Sequence, residues 1–274
     1  RASFDPRNIR LDVRRAPLMR CVIAHDAAND RWLMLWLSHH LAGDHTTQKI
    51  MALEAQAFLQ GESERLPAPL PFRNFVAQAR LGISWSEHEA FFREMRGGVE
   101  EPTAPFGLLD AQGDGSGMQD ARLELGAALA SRLRGRARRL GVSAGSLCHL
   151  AWAQALARVS GREDVVFGTV LLGRMQGGEG ADRTLGPFIN TLPVRIQVGA
   201  EGVERSARRT HELLAGLMRH EHASLALAQR CSAVAAPTPL FSSVFNYRHS
   251  PRPAEAAQPW VGIEMLESEP RTNY

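Results

Sequence analysis

The stretch LWLSHHLAGDHTTQKI, residues 35–50, places His39, His40, Asp44 and His45 within seven residues, directly after an apolar run. Imidazole beside carboxylate suits three roles. The groups can be polar residues satisfied at a strand end, ligands of zinc or iron, or a base whose surroundings a carboxylate fixes. Adjacent histidines on a strand project to opposite faces. Asp44 follows His40 by four positions, which does not meet the H-x-H-x-D-H spacing of a metal hydrolase. No metal is expected. The base reading keeps one imidazole for a cleft, one for the core, and an aspartate to hold the turn.

Such a turn needs a strand before it and a helix after it. LMRCVIAHD (18–26) and RWLMLWLSHH (31–40) read as strands, joined by AAND as a hairpin turn. The second is apolar nearly throughout, as for a strand buried on both faces. TTQKIMALEAQAFLQG (46–61) reads as a helix capped by Asp44 or Thr46, with Ile50, Leu53, Ala57 and Phe58 on one face. Two amphipathic segments follow, near 72–81 and 86–96. The Gly-, Pro- and acid-rich run 97–117 reads as a linker. Beyond it come a strand at QDARLEL (119–125), a helix over 126–141, and a helix capped by Ser143. DVVFGTVLLG (164–173) reads as a buried strand. LGPFINTLPVRIQV enters another strand, whose prolines Pro187 and Pro193 need edge or bulge positions. A helix over 203–221 and strands at LFSSVFNYRH and WVGIEMLES complete the pattern. The class is α/β, with some neighbouring strands antiparallel.

The 274 residues allow a sizeable core and two lobes, and 44% apolar with 22% charged residues is ordinary for a soluble protein. A net charge of +3 gives no support to a nucleic-acid partner. No apolar run is long enough to span a bilayer. Cys21, Cys148 and Cys231 are isolated and read as buried, reduced thiols, which fits a cytoplasmic protein. Lys49 is the only lysine, and the arginine- and alanine-rich composition suggests a GC-rich bacterial genome. The arginine run over 132–141 reads as a solvated helix face or a docking face for an acidic partner.

SHHLAGDHTT resembles the H-H-x-x-x-D-G motif of condensation domains of nonribosomal peptide synthetases, within the chloramphenicol acetyltransferase-like H-x-x-x-D acyltransferases. LPFRNFVAQAR (70–80), DVVFGTVLLGR (164–174), LGPFINTLPVRI (185–196), HEHASLALAQR (220–230) and LFSSVFNYRHS (240–250) resemble further family segments in the same order. The resemblance implies two chloramphenicol-acetyltransferase-like lobes in a V, with mixed sheets flanked by helices and a tunnel between the lobes. It implies that both termini are truncated, and a slice so cut is expected to fold poorly alone. Residues 1–96 would then be the C-terminal part of the N-lobe, 97–117 the linker, and 118–274 the N-terminal part of the C-lobe.

By the same resemblance, donor and acceptor peptidyl carrier domains deliver thioester substrates on phosphopantetheine arms. No cofactor is bound directly, and an adenylation domain neighbours in the same polypeptide. No nucleic acid or membrane partner is implied. His40 is the catalytic residue, His39 is structural, and Asp44 holds the loop with Arg174 as its ion-pair partner. Gly43, His45, Asn190 and Asn246 line the tunnel, or the asparagines bond backbone. Amide-bond formation is the implied reaction. Epimerization, ester formation, or a non-catalytic scaffold that recruits partners are the alternatives. The chain departs from the motif at His45, where the family has glycine, a residue that permits unusual dihedrals. The segment HEHASLAL lacks the usual proline and acid.

Overall fold

The computed structural model describes residues 11–109, 119–175, 178, 180–248 and 263–266. The chain divides into two compact units. One comprises Arg1–Gln78 with Gly177–Ile189, and the other Ala79–Gln176 with Asn190–Tyr274. The segment 177–189 thus returns to the first unit from far along the chain. This division passes at Gln78, ahead of the 97–117 stretch.

In the first unit, strands β1 (Met19–Asp26) and β2 (Arg31–Ser38) pair antiparallel, from Met19 opposite Ser38 to Asp26 opposite Arg31. The four residues between them form the expected turn. Helix α1 (His45–Leu59) follows β2 after a short turn, and α2 (Arg73–Leu81) begins in this unit. Two expectations are corrected here. Strand β2 is not buried on both faces, since Trp32 and Met34 are exposed, as is Ile23 of β1. On α1, Leu53 and Phe58 are exposed, and the buried residues are Thr47 and Gln56. The reason is shared: among the described residues the hairpin has only two strands, and nothing covers these apolar side chains. Cys21 is exposed for the same reason, Cys148 is half-buried, and Cys231 alone of the three is buried as expected.

The second unit holds the larger core. Helices α3 (Trp85–Arg96), α4 (Ala127–Leu140), α5 (Ala144–Ser160), α6 (Val203–Arg219) and α7 (Leu225–Arg230) accompany a mixed sheet of order β4-β3-β5. Strand β3 (Asp164–Leu171) runs antiparallel to β4 (Asn190–Gln197) and parallel to the two-residue β5 (Val244–Phe245). Side-chain alternation on β3 serves two clusters. Val165 and Phe167 face Leu150, Leu192, Leu214 and Leu217, whereas Val166 packs with Val99, Val234 and Leu240. Pro193 is tolerated because β4 is an edge of the described sheet. Ser143 caps α5 by accepting from the Ser146 amide at 2.9 Å, and Gly141 ends α4 in the left-handed conformation.

The beginning of the 97–117 stretch is packed. Val99 and Thr103 are buried, and the Thr103 hydroxyl accepts from the Val166 amide at 2.8 Å while its own amide donates to the Leu240 carbonyl at 3.0 Å. Residues 110–117 lie outside the described residues. QDARLEL forms no strand; it is exposed and irregular, because no neighbouring strand pairs with it among the described residues. Most of WVGIEMLES lies outside the described residues, and 263–266 have no regular structure. The arginines 132, 134, 136, 138 and 139 of α4 are all exposed, with Arg136 3.2 Å from Glu204.

Candidate active site

The histidine motif occupies the turn between β2 and α1, as its spacing predicts. The turn is tied at both ends. His39 donates its amide to the Leu18 carbonyl at 3.0 Å, extending the hairpin by one bond. The His39 Nδ1 accepts from the Leu41 amide at 3.1 Å, and its carbonyl accepts from the Ala42 amide at 2.9 Å. His39 is therefore a half-buried part of the turn itself, with Nδ1 unprotonated in that arrangement. His40 is exposed.

Asp44 closes the turn. It is 2% exposed, its backbone is extended, and its Oδ1 accepts from the Thr47 amide at 2.8 Å as the N-cap of α1. Its carbonyl takes the Gln48 amide at 3.1 Å, the first intrahelical bond. A carboxylate at a helix N-terminus also meets the positive end of the helix dipole. His45 is the exposed first residue of α1. Position 45 needs no glycine, because the non-glycine residues with positive φ among those described are Asp30 and Phe106. The glycine that close packing requires here is Gly43: a Cβ there would overlap the Thr47 side chain. It is buried beneath Thr47.

Two other motifs gather on this turn within the first unit. The Thr47 hydroxyl donates to the Gly186 carbonyl at 2.9 Å and accepts from the Gly186 amide at 3.0 Å. Phe188, two residues on, is buried against Phe72 and Phe75 of the 70–80 segment, with ring centroids 5.2 and 4.3 Å away. Gly186 lies so close to Phe72 that a Cβ would overlap its ring. Segments 39–47, 70–76 and 185–188 thus form one assembly, although 139 positions separate Thr47 from Gly186.

The remaining sequence candidates lie in the second unit. Asn190 opens β4 and donates through Nδ2 to the carbonyls of Glu221 and Ala223, at 2.8 and 2.7 Å. Backbone bonding is one of the two roles open to it. Asn246, just after β5, is exposed. Arg174 follows β3 and is half-buried. The arginine of the 185–196 segment, Arg195, pairs with Asp164 across the β3–β4 ladder, Nε to Oδ1 at 2.9 Å. Hydrogen bonding to Asp164 holds its guanidinium further above the usual arginine range.

One cluster was not anticipated. His88 of α3 and His220 after α6 meet Nδ1 to Nδ1 at 2.9 Å, and His220 stacks on Phe91 at 4.1 Å. One ring donates and the other accepts, so at least one is neutral. Burial pushes both imidazoles below the usual histidine range, and the proximity of His88 lowers His220 further. His222 is pushed down too, first by burial. Its Nε2 is 4.0 Å from Oε1 of Glu221, a carboxylate only 1% exposed. The H-E-H triplet at 220–222 was a visible signal; its partner at position 88 was not. His149 is a third case: Nδ1 donates to the Gly145 carbonyl, so Nε2 accepts from the Thr169 hydroxyl, both at 2.7 Å. Among the described residues no group of three or more His, Cys, Asp or Glu is arranged to hold a metal ion.

The family model described as Condensation domain matches residues 5–260. The chain belongs to the condensation domain family. It is 51% identical over 271 residues to malpibaldin synthetase and over 271 residues to malpinin synthetase, both from Mortierella alpina. Each alignment covers 99% of this chain, and only 5% and 4% of those relatives. Both relatives are fungal, so the bacterial source suggested by composition is not supported. The condensation domain from the monacolin K polyketide synthase MokA superposes with a TM-score of 0.62 at 19% identity, covering 86% of this chain and 58% of that one. The α/β class with mixed sheets and flanking helices is that of solved condensation domains. No helix among the described residues is long and apolar enough to cross a membrane.

Proposed function

We propose that this condensation domain forms an amide bond between two carrier-bound substrates in nonribosomal peptide synthesis. The observation that carries the reading is His40, exposed on a turn that Asp44 caps and the 185–188 segment buttresses, in a chain of this family. The acceptor's amine nitrogen attacks the donor's thioester carbonyl. The C–N bond forms, the C–S bond breaks, and the thiol leaves on the donor's phosphopantetheine arm. The amine must lose a proton, and the His40 imidazole takes it or orients the attacking nitrogen. A base so placed contributes about 10²–10⁴-fold. Because a thioester is already activated, juxtaposing the reactants supplies much of the remainder.

The partners in this reading are donor and acceptor carrier domains and an adenylation domain of the same polypeptide, acting in the cytoplasm. Asp44, buried at the cap of α1, holds the loop that carries His40. Gly43 and His45 lie beside His40 along the substrate path.

The test uses the full-length protein with loaded donor and acceptor carriers, followed by intact-protein mass spectrometry. Condensed product on the acceptor, slowed about 10²-fold or more by His40→Ala, is expected. Undiminished product in the variant removes His40 from the chemistry. An inverted stereocentre or an ester in place of the amide replaces the reaction. No product from any folded pair leaves a recruiting scaffold.

A further inference from the structure

We propose that Thr47 is a positioning residue for His40, acting as a clamp between the catalytic turn and the 184–189 loop. Thr47 is 5% exposed and sits at the third position of α1. Three bonds converge on it. Its amide donates to Asp44 Oδ1 at 2.8 Å, and its hydroxyl both donates to and accepts from the backbone of Gly186, at 2.9 and 3.0 Å. One hydroxyl satisfies the amide and the carbonyl of a single residue from a distant part of the chain.

Close packing requires glycine on both partners of this contact. At Gly43, inside the histidine turn, any Cβ would overlap Thr47; at Gly186, any Cβ would overlap Phe72. The turn can therefore close onto Thr47, and the loop can reach it while Phe188 is seated on Phe72 and Phe75. His40 lies between two fixed points. β2 holds it on one side through the His39 amide, and the first turn of α1 holds it on the other. Both bonds to Gly186 come from this one hydroxyl, so losing it frees the first turn of α1 to shift against that loop. A shift of about 1 Å in a reacting group is enough to cost about 10²-fold in rate.

The rate readout rests on the condensation reading, so the test includes one that does not. Thr47→Val keeps the shape and the amide bond to Asp44 but removes both bonds to Gly186. Thr47→Ser restores the hydroxyl. In the full-length protein, the rate of carbethoxylation of each histidine by diethyl pyrocarbonate is followed by peptide mass spectrometry, with exposed-side His25 as internal control. Thr47→Val is expected to change His40 reactivity at least three-fold with His25 unchanged, and Thr47→Ser to return it to the wild-type value. With saturating loaded carriers, Thr47→Val should lower kcat by about 10–10²-fold, with little change in KM and with recovery in Thr47→Ser. Unchanged His40 reactivity in a folded Thr47→Val protein overturns the proposal. So does a loss that Thr47→Ser fails to repair, or one that merely follows the folded fraction measured by hydrogen exchange. Altered His40 reactivity in a protein whose wild type makes no amide leaves the clamp standing and removes the condensation reading instead.

Discussion

Asp44 is asked to do two things, and replacing it with alanine or with asparagine separates them. As a cap, its Oδ1 satisfies the Thr47 amide at 2.8 Å in a place that water does not reach. Losing an aspartate cap costs about 0.5–2 kcal/mol. Leaving a buried amide unpaired costs about 1–3 kcal/mol. These describe largely the same lost bond and are not added, so about 2 kcal/mol is expected for Asp44→Ala. That is roughly a 30-fold increase in local opening at the start of α1. Asparagine caps as well as aspartate, so Asp44→Asn should change opening several-fold at most while removing the charge. Hydrogen exchange of peptides covering 44–50, in the full-length protein, reads the first effect. Rate of condensed product reads the second. If the charge matters, Asp44→Asn slows product without faster exchange. Unaltered exchange at Thr47 and Gln48 in Asp44→Ala would refute the capping argument. Equal exchange and equal rate in Asp44→Asn would leave Asp44 its capping role alone.

Other outcomes are expected in the second unit. Asn190→Ala should leave the carbonyls of Glu221 and Ala223 without their donor, at about 1–3 kcal/mol; Asn190→Asp, which sets acceptor against acceptor, should be worse, and exchange around 190–192 and 220–224 measures both. Stability should also depend on pH through His88, His220, His222 and His149. All four are depressed below 6.5 in the folded protein, chiefly by burial, so the unfolded chain binds protons more readily. Stability is then fully present above about pH 6.5 and falls as pH drops through the lower folded values. Glu87 opposes this by favouring protonated His88 and His220, while Arg219 reinforces it at His220. Exchange in peptides 85–96 and 214–224 between pH 8 and 5, corrected for intrinsic rates, should show the loss, reduced in His88→Asn. A protection that stays flat over that range contradicts the assignment.

The local signals in this chain were strong where one element decides its own form. Apolar runs and turn residues set the β1–β2 hairpin, and Asp44 and Ser143 mark the starts of α1 and α5 because a cap needs only its own next turn. Propensity misled where a partner is required. QDARLEL has strand character but no neighbour to pair with among the described residues. The apolar faces of β2 and α1 predicted burial that Trp32 and Phe58 do not have. The 97–117 stretch looked like a linker by composition, yet Val99 and Thr103 are built into the second unit because Thr103 completes the hydrogen bonding of β3. Composition reports flexibility of an isolated segment and is blind to a strand that needs it.

The site shows the same division more sharply. The turn itself was legible, because residue type and spacing put His39, His40 and Asp44 between a strand and a capped helix; the catalytic role of His40 belongs to the proposed function. Thr47 was not legible, since a threonine in the first turn of a helix is common, and its importance comes from Gly186, 139 positions away. The order of motifs along the chain made the family recognisable without saying why the motifs occur together. Their grouping supplies a physical reason for three of them. The histidine turn needs Gly43 to receive Thr47, Thr47 needs Gly186 to satisfy its hydroxyl, and Gly186 needs the Phe72–Phe75–Phe188 cluster to stay in place. Residues that seem to mark separate segments are therefore successive supports of one exposed imidazole. Substitutions along that series should be strongly non-additive, because contacting residues that share a partner do not contribute independently. Thr47→Val combined with Phe188→Ala should slow product hardly more than the slower single variant, whereas independent supports would multiply.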